Sequence, residues 1–157
     1  MDTTATSIRE LRLTRIIGAP RKLVFKAWTD PIHLKQWWGP RGFTNPLCEL
    51  DLRPGGRIRI CMDSPHFPNH WMTGVFREII EPEKLVFSSY AFEDASGNSK
   101  LEALNTVTFE EFNGVTRLHL HAVVIKATPD LLFALDGMEQ GWSESLYKLA
   151  DTIDRIR

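Results

Sequence analysis

The spacing of apolar positions changes twice along the chain. Residues 8–17 (IRELRLTRII) mix apolar and β-branched positions and stop at Gly18-Ala19-Pro20, the pattern of a first strand. Pro20 suits the start of a helix, and Leu23, Val24, Ala27 and Trp28 then recur at helical spacing. Asp30-Pro31 restarts the chain, and Ile32, Leu34, Lys35 and Trp38 predict a second short helix ending at Gly39-Pro40. From about Thr44 to Lys126 the pattern becomes alternation broken by turn residues, which predicts strands over 44–53, 57–63, 70–80, 84–92, 101–112 and 115–125. Asn113-Gly114 is the strongest hairpin signal among the breaks. The tail then returns to helical period. Leu135, Met138, Trp142, Leu146, Leu149, Ile153 and Ile156 are 3, 4, 4, 3, 4 and 3 residues apart, one apolar stripe on a helix of about five turns or more.

These elements predict an α+β fold: a seven-stranded curved antiparallel sheet, two short helices after the first strand, and one long C-terminal helix held against the sheet. Consecutive hairpins imply a meander. A single amphipathic helix cannot fill the concavity of seven strands, so a cavity between them is expected. The hairpin around Pro54 has a testable register. Pairing residue 52 with 58 and 50 with 60 keeps Leu50, Leu52, Ile58 and Ile60 on one face, leaves Pro54-Gly55-Gly56 as the loop and sets Asp51 opposite Arg59. The same register puts Cys48 and Cys61 on opposite faces, which argues against a disulfide.

Composition narrows the function classes. The 157 residues suit one domain spanning 1–157, with residues 1–7 expected as a disordered tail. Hydrophobic residues make up 43% and charged residues 25%, with a formal net charge of -1 and no basic block, so a nucleic-acid surface is not expected. No window approaches the roughly 18 consecutive apolar residues of a membrane helix, and the N-terminus lacks a signal-peptide pattern. Two cysteines without metal-ligand spacing fit reduced thiols and a cytoplasmic location.

Three of the five tryptophans fall within eleven residues, from Trp28 to Trp38. Trp37, Trp38 and Phe43 are candidates for one wall of a ligand pocket, with Trp28 behind them; the alternative is that they seal the open end of the grip against Trp142. Met138 and Trp142 are the helix-side candidates, and Phe87 and Phe109 their counterparts on the sheet. Strands 70–80 and 84–92 do not reveal which phase turns inward, so Glu78 and Tyr90 are the polar cavity candidates. Parity places Glu49 and Asp51 outside. His119 and His121 share a strand face at a spacing that could bind a metal, but Leu118, Leu120 and Ala122 form the inner set, so the pair belongs outside. His66 and His70 flank a Pro-rich loop and are expected to be exposed. No GxSxG, Walker loop, GxGxxG or Cys-His arrangement is present, and no catalytic residue, metal or cofactor is assigned.

The runs AWTDP at 27–31, WWGP at 37–40, DLRPGG at 51–56, GVFREIIEPEKLVF at 74–87 and GMEQGWSESLYKL at 137–149 occur in order. Together they resemble the family of homologues of the activator of heat-shock protein 90 ATPase, over roughly Leu11 to Ile156. The resemblance implies a helix-grip fold related to START lipid-transfer domains and polyketide cyclases. In the eukaryotic co-chaperone of that family this domain accompanies a separate N-terminal domain that engages the chaperone, which this chain is expected to lack. The expected function is binding of a small hydrophobic or aromatic molecule in the cavity, by a monomer or homodimer without nucleic acid or membrane. The alternatives are a co-chaperone-like protein-interaction module and a cyclase-like enzyme using the same cavity.

Overall fold

A computed structural model describes residues 9–157; the tail expectation for residues 1–7 lies outside the described residues. Seven strands form one antiparallel sheet in the order β1-β7-β6-β5-β4-β3-β2: β1 Glu10–Ile17, β2 Thr44–Leu50, β3 Arg57–Asp63, β4 His70–Ile80, β5 Lys84–Glu93, β6 Ser99–Phe112 and β7 Val115–Ala127. The strands β1 and β2 lie at opposite edges, so the helices between them, α1 (Arg21–Thr29) and α2 (Pro31–Trp37), carry the chain across the sheet. Helix α1 buries Val24, Ala27 and Trp28 as its apolar spacing predicted, together with Phe25, while Leu23 is only partly buried. Helix α2 starts where the Asp30 side chain accepts a hydrogen bond from the Ile32 amide (2.9 Å), with Pro31 in the first turn, where its missing N–H costs nothing.

The two-residue turn at Asn113-Gly114 has positive φ at both positions, as a type I′ hairpin requires, and joins Phe112 directly to Val115. The hairpin around Pro54 departs from expectation. Leu50 pairs with Ile58 and Cys48 with Ile60, so Glu49 rather than Asp51 faces Arg59, at 2.9 Å. The slip is two residues, which leaves every side chain on its expected face. Asp51 still donates to the Arg57 carbonyl (3.0 Å), but the chain beyond it leaves the β2–β3 ladder, and Gly55 and Gly56 bond to β4. Gly55 donates to the Phe76 carbonyl (2.7 Å), and Phe76 donates to the Gly56 carbonyl (2.9 Å). Cys48 and Cys61 remain on opposite faces as free thiols.

The tail helix also starts later than its stripe predicted. Leu135 belongs to a separate short helix, α3 (Leu132–Asp136), and the long helix α4 runs from Met138 to Ile156 after a break at Gly137. Ser145, Leu146, Leu149, Thr152 and Ile153 are its buried side.

Candidate functional site

The sheet face beneath α4 changes character along the strands. At one end Leu85, Val107 and Leu120 stand in register across β5, β6 and β7 and meet Leu146, Leu149 and Ile153 in the core. The next inward row is Phe87, Asn105 and Ala122, then Ser89, Ala103 and Val124, then Ala91 and Leu101. Side-chain volume thus falls sharply toward the far end. Helix α4 thins in the same region, where it presents Gly141 and Ser145. Interiors otherwise fill space as densely as organic crystals. Here small residues on both sides leave a hollow of about 260 Å³.

Aromatic rings close the hollow on its inner side. Trp38 packs edge-on against Trp142 (5.4 Å between centroids), Trp142 stacks with Trp28 (6.1 Å), and Trp38 meets Phe87 (6.2 Å). Behind them Trp28 and Trp37 form an edge-to-face pair at 4.7 Å, and the buried Trp37 indole donates to the Ala27 carbonyl (2.9 Å). Phe25 and Phe109 make a second edge-to-face pair at 5.4 Å. Of the eight aromatic and sulfur-bearing residues put forward from sequence, Trp38, Met138 and Trp142 line the hollow. Trp28, Trp37, Phe87 and Phe109 lie in the core beside it, and Phe43 stacks on Phe67 at 6.3 Å. Of these four, Trp28 stacks on Trp142, while Trp37, Phe87 and Phe109 are buried within the core cluster.

Both polar cavity candidates lie elsewhere. In β4 an irregularity between Phe76 and Glu78 changes the phase, and Glu78 turns outward to pair with Lys84 at 3.0 Å. In β5 the inward phase carries Phe87, Ser89 and Ala91, so Tyr90 faces out, where its hydroxyl accepts from Arg77 (3.1 Å). The polar groups that do line the hollow are Ser89, Asn105, Ser145 and His70. The last corrects the expectation of an exposed imidazole. His70 is half-buried against Phe92, with ring centroids 4.7 Å apart, and burial pushes its pKa below the ordinary 6.5. His119 and His121 are on the outer face, hydrogen-bonded to Thr14 (2.7 Å) and Glu10 (3.2 Å). The row of small residues at inward positions 89, 91, 103 and 122 was the available signal for the hollow, once the strand phases are known.

The loop from Gly39 to Phe43 forms part of the rim and is tied to α4. The Lys148 ammonium donates to the carbonyls of Gly39 (3.1 Å), Pro40 (3.3 Å) and Phe43 (3.4 Å), and burial lowers its pKa. One turn earlier, the Glu144 carboxylate accepts from the Arg41 amide (3.0 Å) and from Gln140 (3.0 Å), which hold its pKa below the usual range. Beneath the loop, Asn45 donates to the carbonyls of Lys35 (2.8 Å) and Trp38 (2.9 Å), pinning the end of α2 to β2. Tryptophan placement at the rim is therefore fixed from both sides.

A sheet wrapped on one long helix, with an inward hollow and a Trp-bearing rim, defines a helix-grip protein of the START-like class. The family model described as Activator of Hsp90 ATPase homolog 1-like protein matches residues 18–154, and the chain belongs to that family. Solved structures share the fold. A protein from Chromobacterium violaceum is 26% identical with a TM-score of 0.76, covering 92% of this chain and 96% of that one. A protein from Arthrobacter aurescens is 24% identical with a TM-score of 0.79, covering 93% and 86%. The AHSA1 protein from Silicibacter pomeroyi is 24% identical with a TM-score of 0.75, covering 95% and 100%. No curated protein matches the chain. Among the described residues, no helix is long and apolar enough to cross a membrane.

Proposed function

We propose that this protein binds a small hydrophobic or aromatic molecule in the hollow between α4 and the sheet. The observation that carries the reading is the hollow itself: about 260 Å³, walled by Met62, Met72, Trp38, Trp142 and short side chains, with few polar groups. An engineered apolar cavity of about 150 Å³ already accommodates benzene, so this one suits a molecule of one to two rings. For ten or so non-hydrogen atoms, binding of about -6 kcal/mol is reasonable, which corresponds to tens of micromolar.

Enclosure is the mechanism. Apolar ligand surface leaves water, and a few polar groups on the wall set orientation. Among the described residues His70 is the one ionisable side chain on that wall, so a cyclase-like activity would have to rest on it. A cytoplasmic location, in keeping with the free thiols of Cys48 and Cys61, belongs to the same proposal. The test is titration of the protein into 4-(dimethylamino)benzonitrile, a one-ring probe whose fluorescence rises when it leaves water. The reading expects a saturable, one-to-one increase. Fluorescence unchanged at about 100 µM protein, several times the expected dissociation constant, rejects it.

A further inference from the structure

We infer that the hollow selects an uncharged ring compound bearing a hydrogen-bond donor, such as a phenolic or alcoholic hydroxyl, read by the side-chain oxygen of Asn105. This rests on the ligand-binding reading above and specifies its ligand class. Asn105 lies in β6 between Phe87 and Ala122, is 2% exposed, and forms part of the hollow's wall. Its amide nitrogen donates to the Phe87 carbonyl (3.2 Å) and to Ser89 Oγ (3.0 Å). A backbone carbonyl can only accept, so the nitrogen must be the atom facing it, and both N–H groups are then committed. A flip would set Oδ1 against the Phe87 carbonyl, two acceptors facing each other, so the Phe87 contact fixes the orientation even though Ser89 could donate to either atom's place.

What remains for a ligand is Oδ1, an acceptor without a partner among the described residues. Among the described residues the fully sealed side-chain atoms without a partner are Trp28 Nε1, His33 Nδ1 and Asn45 Oδ1; Asn105 Oδ1 is not one of them, and Asn105 forms part of the wall, so the proposal takes this oxygen as the one that meets a ligand. A hydroxyl or N–H placed there satisfies it. An ether or ketone oxygen in the same place sets two acceptors against each other in a mostly carbon site, where an unmade hydrogen bond is costly. Ser145, 4% exposed on the facing helix, also lines the hollow. Its hydroxyl can donate or accept, so it supports a ligand hydroxyl without deciding the chemistry. No Asp, Glu, Lys or Arg among the described residues lines the hollow, which leaves a ligand carboxylate without a counter-charge.

Calorimetric titration of the full chain with naphthalene, 1-naphthol, 1-methoxynaphthalene and 1-naphthoate tests the assignment. The expected order has 1-naphthol about 3- to 10-fold tighter than naphthalene and 1-methoxynaphthalene, the effect of one net hydrogen bond. The 1-naphthoate anion should bind at least about tenfold more weakly than 1-naphthol. Asn105→Leu should bring 1-naphthol and naphthalene to equal affinity; if this variant does not fold, the four ligands with the unaltered chain decide. Equal affinity for 1-naphthol and 1-methoxynaphthalene in the unaltered chain overturns donor selection and leaves the ligand-binding reading standing. Binding by none of the four overturns both.

Discussion

Ser89, Ala91, Ala103 and Ala122 shape the hollow by what their side chains lack. Large aromatic residues are conspicuous in a sequence, and eight positions chosen largely on size included three lining residues, Trp38, Met138 and Trp142. Small residues carry little signal alone, because an alanine on a strand fits either face. They become legible only when the inward phase is known, and in β4 that phase changes between Phe76 and Glu78. His70 was misplaced for a related reason: a flanking Pro-rich loop says nothing about the ring that packs on Phe92. Its burial has a consequence with a definite sign. A folded pKa below 6.5 means that the unfolded chain takes up the proton first as pH falls, so this group's contribution to stability is present above 6.5 and declines below it. A neutral ligand covering the ring should deepen the effect. Affinity for an apolar probe is expected to hold at pH 6.5 and to weaken only as pH drops through the lowered pKa of His70 in the folded protein, and His70→Gln should flatten that profile in a fluorescence titration. A second residue-scale test concerns Gly56, where an added Cβ would lie 1.9 Å from the Asp51 carbonyl oxygen. Gly56→Ala should cost about 2 kcal/mol or more in urea denaturation, and an unshifted midpoint would remove this explanation of the hairpin.

At the scale of elements, periodicity carried most of the information. The order of strands and helices, the Asn113-Gly114 turn and the inward set Leu118, Leu120 and Ala122 all follow from local pattern and burial. Two details escaped for identifiable reasons. A two-residue slip conserves facing, so the match of Leu50 and Leu52 to Ile58 and Ile60 could not distinguish 50–60 pairing from the observed 50–58. Leu135 fits the α4 stripe by spacing, yet Gly137 interrupts the helix, because the break depends on backbone geometry rather than on hydrophobic period. The tie between α4 and the loop from Gly39 to Phe43 could not be read from sequence at all, since Lys148 and its acceptors are over a hundred residues apart. Lys148→Met keeps the apolar stem and removes the donors. It should cost about 1–2 kcal/mol, as expected for charged hydrogen bonds at a half-buried site. Hydrogen exchange should quicken in residues 39–43 before it does in the sheet. Unaltered exchange in that loop would show that the rim is held by other contacts.

For the whole molecule, the grip divides into a packed half and a hollow half along the same strands. Phe25, Phe109, Leu118, Leu149 and Ile153 are among the fully or almost fully buried residues of the packed half, while small side chains leave the other half open. If the hollow binds a ligand as proposed, this division assigns stability and binding to different residues, and a substitution that fills the hollow should separate them. Ala103→Leu is expected to leave stability unchanged or raise it by about 0.5–2 kcal/mol, as cavity filling does, while displacing any ligand. The most direct measurement is an NMR titration of backbone amides with 1-naphthol, in the unaltered chain and in Ala103→Leu. Ligand binding in the hollow predicts saturable shifts concentrated at Ser89, Ala91, Asn105, Ala122 and Trp142, and their disappearance in the folded Ala103→Leu protein. Shifts located away from those residues, or shifts that persist unchanged in Ala103→Leu, would contradict it.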